Sequence, residues 1–413
     1  MNERIVMVTS KKKRKKPDAK TMDVEEYLRK LPPPPPEHAH ELEMEKRLKR
    51  LLKEQERQLS NAELRYYSRQ IMLDEVGYEG QLKLKKAKVC LVGLGGLGST
   101  IATQLTTMGV GYLKLIDQDV VEESNLQRQH LYNFDVIGFP KVEAAVKRLG
   151  KLNPYVKLEP LPVSFSERNA TELLSEVDVV VDGLDNMNAR YAVNRTCVRM
   201  GIPYVFGSAI SSYGNASTIV PRKTACLECF YGRLDDSVLP TCGAIGVHPS
   251  VINVVASIEV AETVKILLEG QSSLMNKLLY CDVSAMRFEE ITVAQVESCP
   301  VCGSKPKAKP QPLKHILVEE SCGRNNKRVF IVTPKDNLNL EMKKLVDSLK
   351  KEGTRFKVEA ELGITLETEE RLVATILKSG IMIVEGTNSE KETLEFYKEI
   401  IVNKMGIPWT RIK

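Results

Sequence analysis

The segment Lys88–Leu105, KVCLVGLGGLGSTIATQL, restricts the fold more than any other stretch of the chain. Its apolar run, Val89 to Val92, is too short for anything but a strand. The chain then turns through Gly93, Gly95, Gly96 and Gly98 and continues in residues suited to a helix. Strand, glycine turn, helix is the layout in which free backbone N–H groups and a helix dipole cradle phosphate. Gly93, Gly95 and Gly98 fit G-x-G-x-x-G, which suggests a nicotinamide or flavin dinucleotide; alone, the pattern specifies phosphate more firmly than it specifies a nucleotide.

KVCLVGLG, GYLKLIDQD, DVVVDGLD and PYVFGS are four apolar strand candidates separated by helical stretches, which predicts a mainly parallel, doubly wound, Rossmann-like sheet. NASTIVP and LLYCDVSAMRFEEITV alternate more and are expected to add antiparallel strands. SVINVVASIEVAETVKILLEG reads as a helix ended by Gly270. The division expected is a basic, Pro-rich tail and helix over 1–63, a body over 64–303, a Pro/Lys linker over 304–320, and a small α+β module over 321–413. Within the first part, residues 1–37 read as disordered and end in a stiff PPPPP spacer, and a charged helix is expected from Glu41 to Asn61.

Charge and cysteine usage exclude several classes. Of the 60 basic residues, six stand in KKKRKK at 11–16; the remaining 54 balance the 54 acidic residues, so the net charge of +6 belongs to the tail. Nucleic acid is therefore not expected as a partner of the folded body. No apolar run of about 18 residues predicts a membrane span, and the N-terminus lacks a secretory pattern, so a cytoplasmic home is the default. Nine cysteines without an export signal argue against a disulfide framework. Cys226/Cys229 and Cys299/Cys302 form two C-x-x-C knuckles, a spacing that predicts a closed, structural Cys₄ zinc site. Cys90, Cys197 and Cys281 read as core residues, and Cys322 as an isolated thiol.

The nucleotide is narrowed further along the chain. Asp117 ends the second strand about twenty residues past the loop, where an acid can accept hydrogen bonds from a ribose. In DQDVVEESNLQRQH, Asn125 and Arg128 share a face of a short helix, and Lys141 follows in GFPK. Arginine and lysine together suit a triphosphate more than a dinucleotide, although Lys141 and Arg128 taken singly are more often surface charges. Asp185, in DGLDN, follows a parallel strand at the ligand-binding edge, where a carboxylate suits Mg²⁺; the alternative is a helix N-cap.

RYYSRQI, GLGGLG, DQDVVEESNLQRQ, GFPK, DGLDN, PTCGAIGV and the two C-x-x-C pairs, in this order over about 64–302, resemble the ThiF/MoeB/HesA family of adenylating enzymes for ubiquitin-like and sulfur-carrier proteins. The resemblance implies ATP-dependent adenylation of a carrier ending in Gly-Gly. It places Gly96 beside the phosphates and Asp117 on the ribose. Asn125, Arg128 and Lys141 would hold the triphosphate, and Asp185 would bind Mg²⁺ with Asp119. It also implies a homodimer in which Arg69 reaches the neighbouring subunit's ATP. Cys242 occupies the position of the family's crossover-loop cysteine. It would form a thioester with the activated carrier before transfer to a conjugating protein, or else be a small residue near a helix start. The alternative within the family is a sulfur-carrier adenylyltransferase for molybdenum cofactor, thiamine or tRNA thiolation, with no thioester step. Residues 310–413 do not resemble the rhodanese domain of some relatives, and by position they invite comparison with a carrier- or partner-binding module.

Overall fold

The computed structural model describes residues 46, 58–236, 239, 245–313, 315–322, 328–368 and 372–413. The basic tail, the proline spacer and the expected helix from Glu41 fall outside them, apart from Lys46 and residues 58–61.

Helix α1 (Gly77–Lys86) leads into β1 (Lys88–Val92). Val89 and Leu91 enter one hydrophobic core and Cys90 and Val92 another, so β1 is buried on both faces. That is why KVCLV reads as a continuous apolar run instead of an alternating one. In chain order follow α2 (Gly96–Met108), β2 (Tyr112–Ile116), α3 (Lys141–Leu152), β3 (Lys157–Leu161), β4 (Val179–Asp182) and α4 (Met187–Met200). After these come β5 (Tyr204–Ile210), β6 (Tyr213–Ile219), α5 (Pro249–Glu269), β7 (Lys277–Asp282) and β8 (Arg287–Thr292).

The strand order is β3-β2-β1-β4-β5-β6-β7-β8. The first five strands are parallel, and β6 to β8 join antiparallel. The four apolar runs are β1, β2, β4 and β5, and the alternating stretches are the antiparallel strands. The sequence reading missed β3. KLEPL carries two charges and Pro160, which only a partly covered edge strand tolerates. Helix α5 ends where expected, with Gly270 left-handed at φ +70°. Cys90, Cys197 and Cys281 are all buried.

A second sheet is formed by β9 (Val318–Cys322), β10 (Arg328–Val332), β11 (Arg355–Glu359), β12 (Gly363–Glu367), β13 (Val373–Leu377) and β14 (Met382–Glu385). Its order is β11-β12-β13-β14-β10-β9, antiparallel throughout. Helices α6 (Met342–Lys351) and α7 (Glu390–Tyr397) share a core with it around Leu345, Ile376 and Tyr397. β9, a polar edge strand, begins inside the stretch expected to be linker. No described helix is long and apolar enough to cross a membrane.

Three glycines let α2 settle onto the strand ends. A Cβ on Gly98 would lie 2.0 Å from the Gly93 carbonyl oxygen, and one on Gly183 would lie 2.2 Å from the same atom. Gly98→Ala should therefore lower the unfolding free energy by ~3 kcal/mol, because the obstructing atom is backbone and cannot rotate away. Urea denaturation measures this, and a change below 1 kcal/mol would contradict the packing described.

Candidate functional site

Strand order reverses direction between β1 and β4, and the carboxyl ends of β1, β2 and β4 meet there. This switch point is where open parallel sheets bind ligands. Gly93 sits in the first turn at φ +93°, a conformation that side chains rarely adopt. Asp117, at the end of β2, organises the loop. Its Oδ2 accepts the Leu94 N–H at 2.6 Å and its Oδ1 accepts the Asp119 N–H at 2.7 Å. The Tyr132 hydroxyl donates to the Leu94 carbonyl at 3.0 Å. Burial raises the Asp117 pKa to about 6, against the pull of Lys141 and the two N–H groups.

Lys141 begins α3 with its side chain buried. Its Nζ lies 2.8 Å from Asp119 Oδ2, and its N–H donates to the Asp119 carbonyl at 2.9 Å. Burial opposes the ammonium, but Asp119 and Asp117 outweigh it and raise its pKa. The balance favours the ammonium form. Asn125 is buried in the 3-10 turn Glu123–Asn125, where its Oδ1 accepts the Glu122 N–H at 3.2 Å. Arg128 follows one turn on and donates to the Ser124 carbonyl at 2.9 Å. The Arg128 N–H donates to the Asn125 carbonyl at 3.1 Å, so one turn links the pair.

Asp185 is exposed in the loop after β4. It is not the helix cap: Asn186 caps α4, accepting the Ala189 N–H at 2.9 Å. The buried acid of DGLDN is Asp182, which the sequence reading did not single out. It accepts from Arg190 Nε at 3.1 Å, the Tyr204 hydroxyl at 2.5 Å and the Leu184 N–H at 2.8 Å. Burial raises the Asp182 pKa although Arg190 pulls it down. Two further acids were missed. Asp236 accepts the Met187 and Asn188 N–H groups at 2.7 and 2.9 Å, anchoring its loop to α4. Glu319, an exposed residue of β9 in the second sheet, has its pKa raised by partial desolvation and then by Asp185, Asp119 and Asp236. No short-range pattern marks either.

The glycine loop, Asp117, Asp119 and Lys141 are therefore bonded together, Asn125 and Arg128 stand on the adjoining turn, and Asp185 is close enough to influence Lys141. Arg69 is apart: it is exposed on the turn Ser68–Ile71 and, among the described residues, bonds to none of these groups. Its neighbour Gln70 ties that turn to Gln81 at 2.6 Å and the Met108 carbonyl at 2.9 Å. Cys242 and the Cys322 side chain lie outside the described residues.

The two C-x-x-C knuckles converge. Cys226 Sγ is 4.0 Å from Cys229 and 3.7 Å from Cys299, Cys229 is 3.3 Å from Cys302, and all four sulfurs lie within 4.8 Å of one another. A tetrahedral zinc thiolate centre has sulfurs about 3.8 Å apart, so this donor set fits one. Gly303 permits the second knuckle, since a Cβ there would lie 2.4 Å from the Glu297 carbonyl. The Val296 N–H points at Cys229 Sγ at 3.4 Å.

The family profile described as ThiF matches residues 67–301. The SAMP-activating enzyme E1 of Haloferax volcanii is 39% identical over 246 residues, 59% of this chain and 91% of that protein. The sulfur carrier protein adenylyltransferase of Thermus thermophilus is 39% identical over 250 residues, 59% of this chain and 92% of that protein. A crystal structure of E. coli MccB with AMPCPP and MccA aligns with a TM-score of 0.52 at 26% identity, covering 58% of this chain and 74% of that one. With more than half of its residues matched and the switch-point site in place, this chain belongs to the ThiF family.

Proposed function

We propose that the chain is an adenylyltransferase that uses ATP to activate the C-terminal carboxylate of a ubiquitin-like or sulfur-carrier protein ending in Gly-Gly. One observation carries the reading: a glycine-loop helix N-terminus, a buried lysine paired with Asp119, and an exposed carboxylate meet at one switch point. The names of the related proteins, and the ATP analogue in the MccB structure, point to the same chemistry.

In the reaction, a carboxylate oxygen bonds to the α-phosphorus while the bond to the bridging oxygen of pyrophosphate breaks. Nucleophile and electrophile are both anionic, so the barrier is largely electrostatic. Lys141, Arg128 and the N-terminus of α2 counter that repulsion and the charge growing on the leaving group. Asp117 fixes the loop amides and offers its remaining lone pairs to the ribose. Asp185 is the hard oxygen donor for Mg²⁺, which when bound would neutralise phosphate charge. No side chain need form a covalent intermediate in this step. The four cysteines hold zinc in a closed structural site. Exchange of labelled pyrophosphate into ATP, with a Gly-Gly carrier present, tests the reading; a purified, folded chain that shows none with any such carrier would overturn it.

The active unit is a homodimer in which Arg69 serves the partner's nucleotide. Support comes from its exposure beside Met72 and Leu73, which are 78% and 49% exposed. Mixing inactive Arg69→Ala and Asp185→Ala chains should restore about a quarter of wild-type exchange, since half the dimers would hold one intact site. A mixture as inactive as its components would show that each chain works alone.

A further inference from the structure

Lys141 lies in segment 138–143, GFPKVE, which is held from two sides. On one side stands the DQDVV stretch. The Gly138 N–H donates to the Val121 carbonyl at 2.8 Å, the Val121 N–H to the Phe139 carbonyl at 2.9 Å, and Val120 bridges to Pro140. On the other side stands the second sheet. The Thr365 hydroxyl of β12 donates to the Gly138 carbonyl at 2.8 Å. The Glu143 carboxylate accepts the N–H groups of Glu361 at 3.3 Å and Leu362 at 2.8 Å, both in the β11–β12 turn.

The fit leaves no slack. A Cβ on Gly138 would lie 3.0 Å from Val358 Cγ2, and one on Gly363 would lie 2.8 Å from Pro140 Cγ. Leu362 packs against the core of the first sheet. The Glu143 side chain is 6% exposed; besides the turn, Lys147 at 2.7 Å meets its charge. Losing the turn would leave a buried carboxylate short of two donors, which is costly.

We infer that the β11–β12 hairpin is a positioning element for Lys141: Thr365 and Glu143 fix the 138–143 segment and so set where the ammonium meets the nucleotide phosphates. The inference rests on the ATP reading above. It gives the second sheet a part in the nucleotide site beyond any recruitment of partners.

The test is a double-mutant cycle on the full chain, read as the dissociation constant of ATP with Mg²⁺ by calorimetry and as KM and kcat of pyrophosphate exchange. Thr365→Val keeps the shape and removes the hydroxyl; Glu143→Gln turns an amide toward the turn, and either variant suffices if the other fails to fold. Each should weaken ATP binding about tenfold, the worth of one well-placed hydrogen bond, while the KM for the carrier stays unchanged. In a Lys141→Ala background the same changes should have no further effect on ATP. Equal losses in both backgrounds, or wild-type affinity in both single variants, would overturn the positioning role. A wild-type chain that binds no ATP would instead remove the nucleotide reading, and this inference with it.

Discussion

Lys141→Ala is expected to lower kcat/KM for pyrophosphate exchange by about 10³-fold, roughly the cost of removing a preorganised charge from a phosphoryl-transfer site. Lys141 is 5% exposed and its ammonium touches Asp119, with Asp117 nearby. Truncation removes the cation and leaves two carboxylates at the proposed phosphate site, so attraction becomes repulsion. The fold should survive, because the backbone bond from residue 141 to the Asp119 carbonyl does not need the side chain. Lys141→Arg should recover only part of the loss, since a planar fork cannot replace a point charge in a buried niche. Exchange kinetics with labelled pyrophosphate decide the matter. Activity of the alanine variant within threefold of wild type would show that phosphate is held elsewhere.

The second large effect concerns the four cysteines. Cys299→Ser, or prolonged chelation, should remove one zinc per chain and lower the melting temperature by at least about 10 °C, given apparent affinities of order 10 kcal/mol for such centres. Cys226 precedes the helical turn Leu227–Phe230, whereas Cys299 follows β8, 73 residues later. The centre therefore closes a long loop and joins α4's side of the core to the end of the antiparallel strands. Without metal, four thiols crowd together with weak mutual bonds, and Cys226 and Cys299 remain buried. Elemental analysis and calorimetry on the same sample test this. A zinc-free wild type that melts with the metal-loaded protein would show the knuckles to be self-sufficient.

The legible parts of this protein were those written in neighbouring residues. The glycine loop, the four apolar strands and the C-x-x-C pairs each follow from spacing within a dozen positions. Asn125 and Arg128 share a turn because helical geometry requires it. The missed strands, β3 and β9, are polar edges where one-sided coverage removes the apolar run on which strand reading depends. DGLDN shows the limit more sharply. Its two aspartates are three residues apart and chemically equal, yet Asp182 is locked to Arg190 and Tyr204 in the interior while Asp185 faces outward. The positions of β5 and α4, which bring Tyr204 and Arg190 alongside, separate them.

The amino-acid order by itself determined the glycine turn at the switch point and a four-thiol cluster, because each is specified by short-range geometry and residue chemistry. The tertiary structure alone decided that the second sheet abuts the Lys141 segment. That contact joins Glu143 to Leu362 across 219 positions, with hydrogen bonds any backbone can make, so no local pattern announces it. It forms because Leu362 and Gly363 present an apolar, unobstructed turn to a surface shaped by Gly138 and Pro140, and shape of that kind exists only after both sheets have folded.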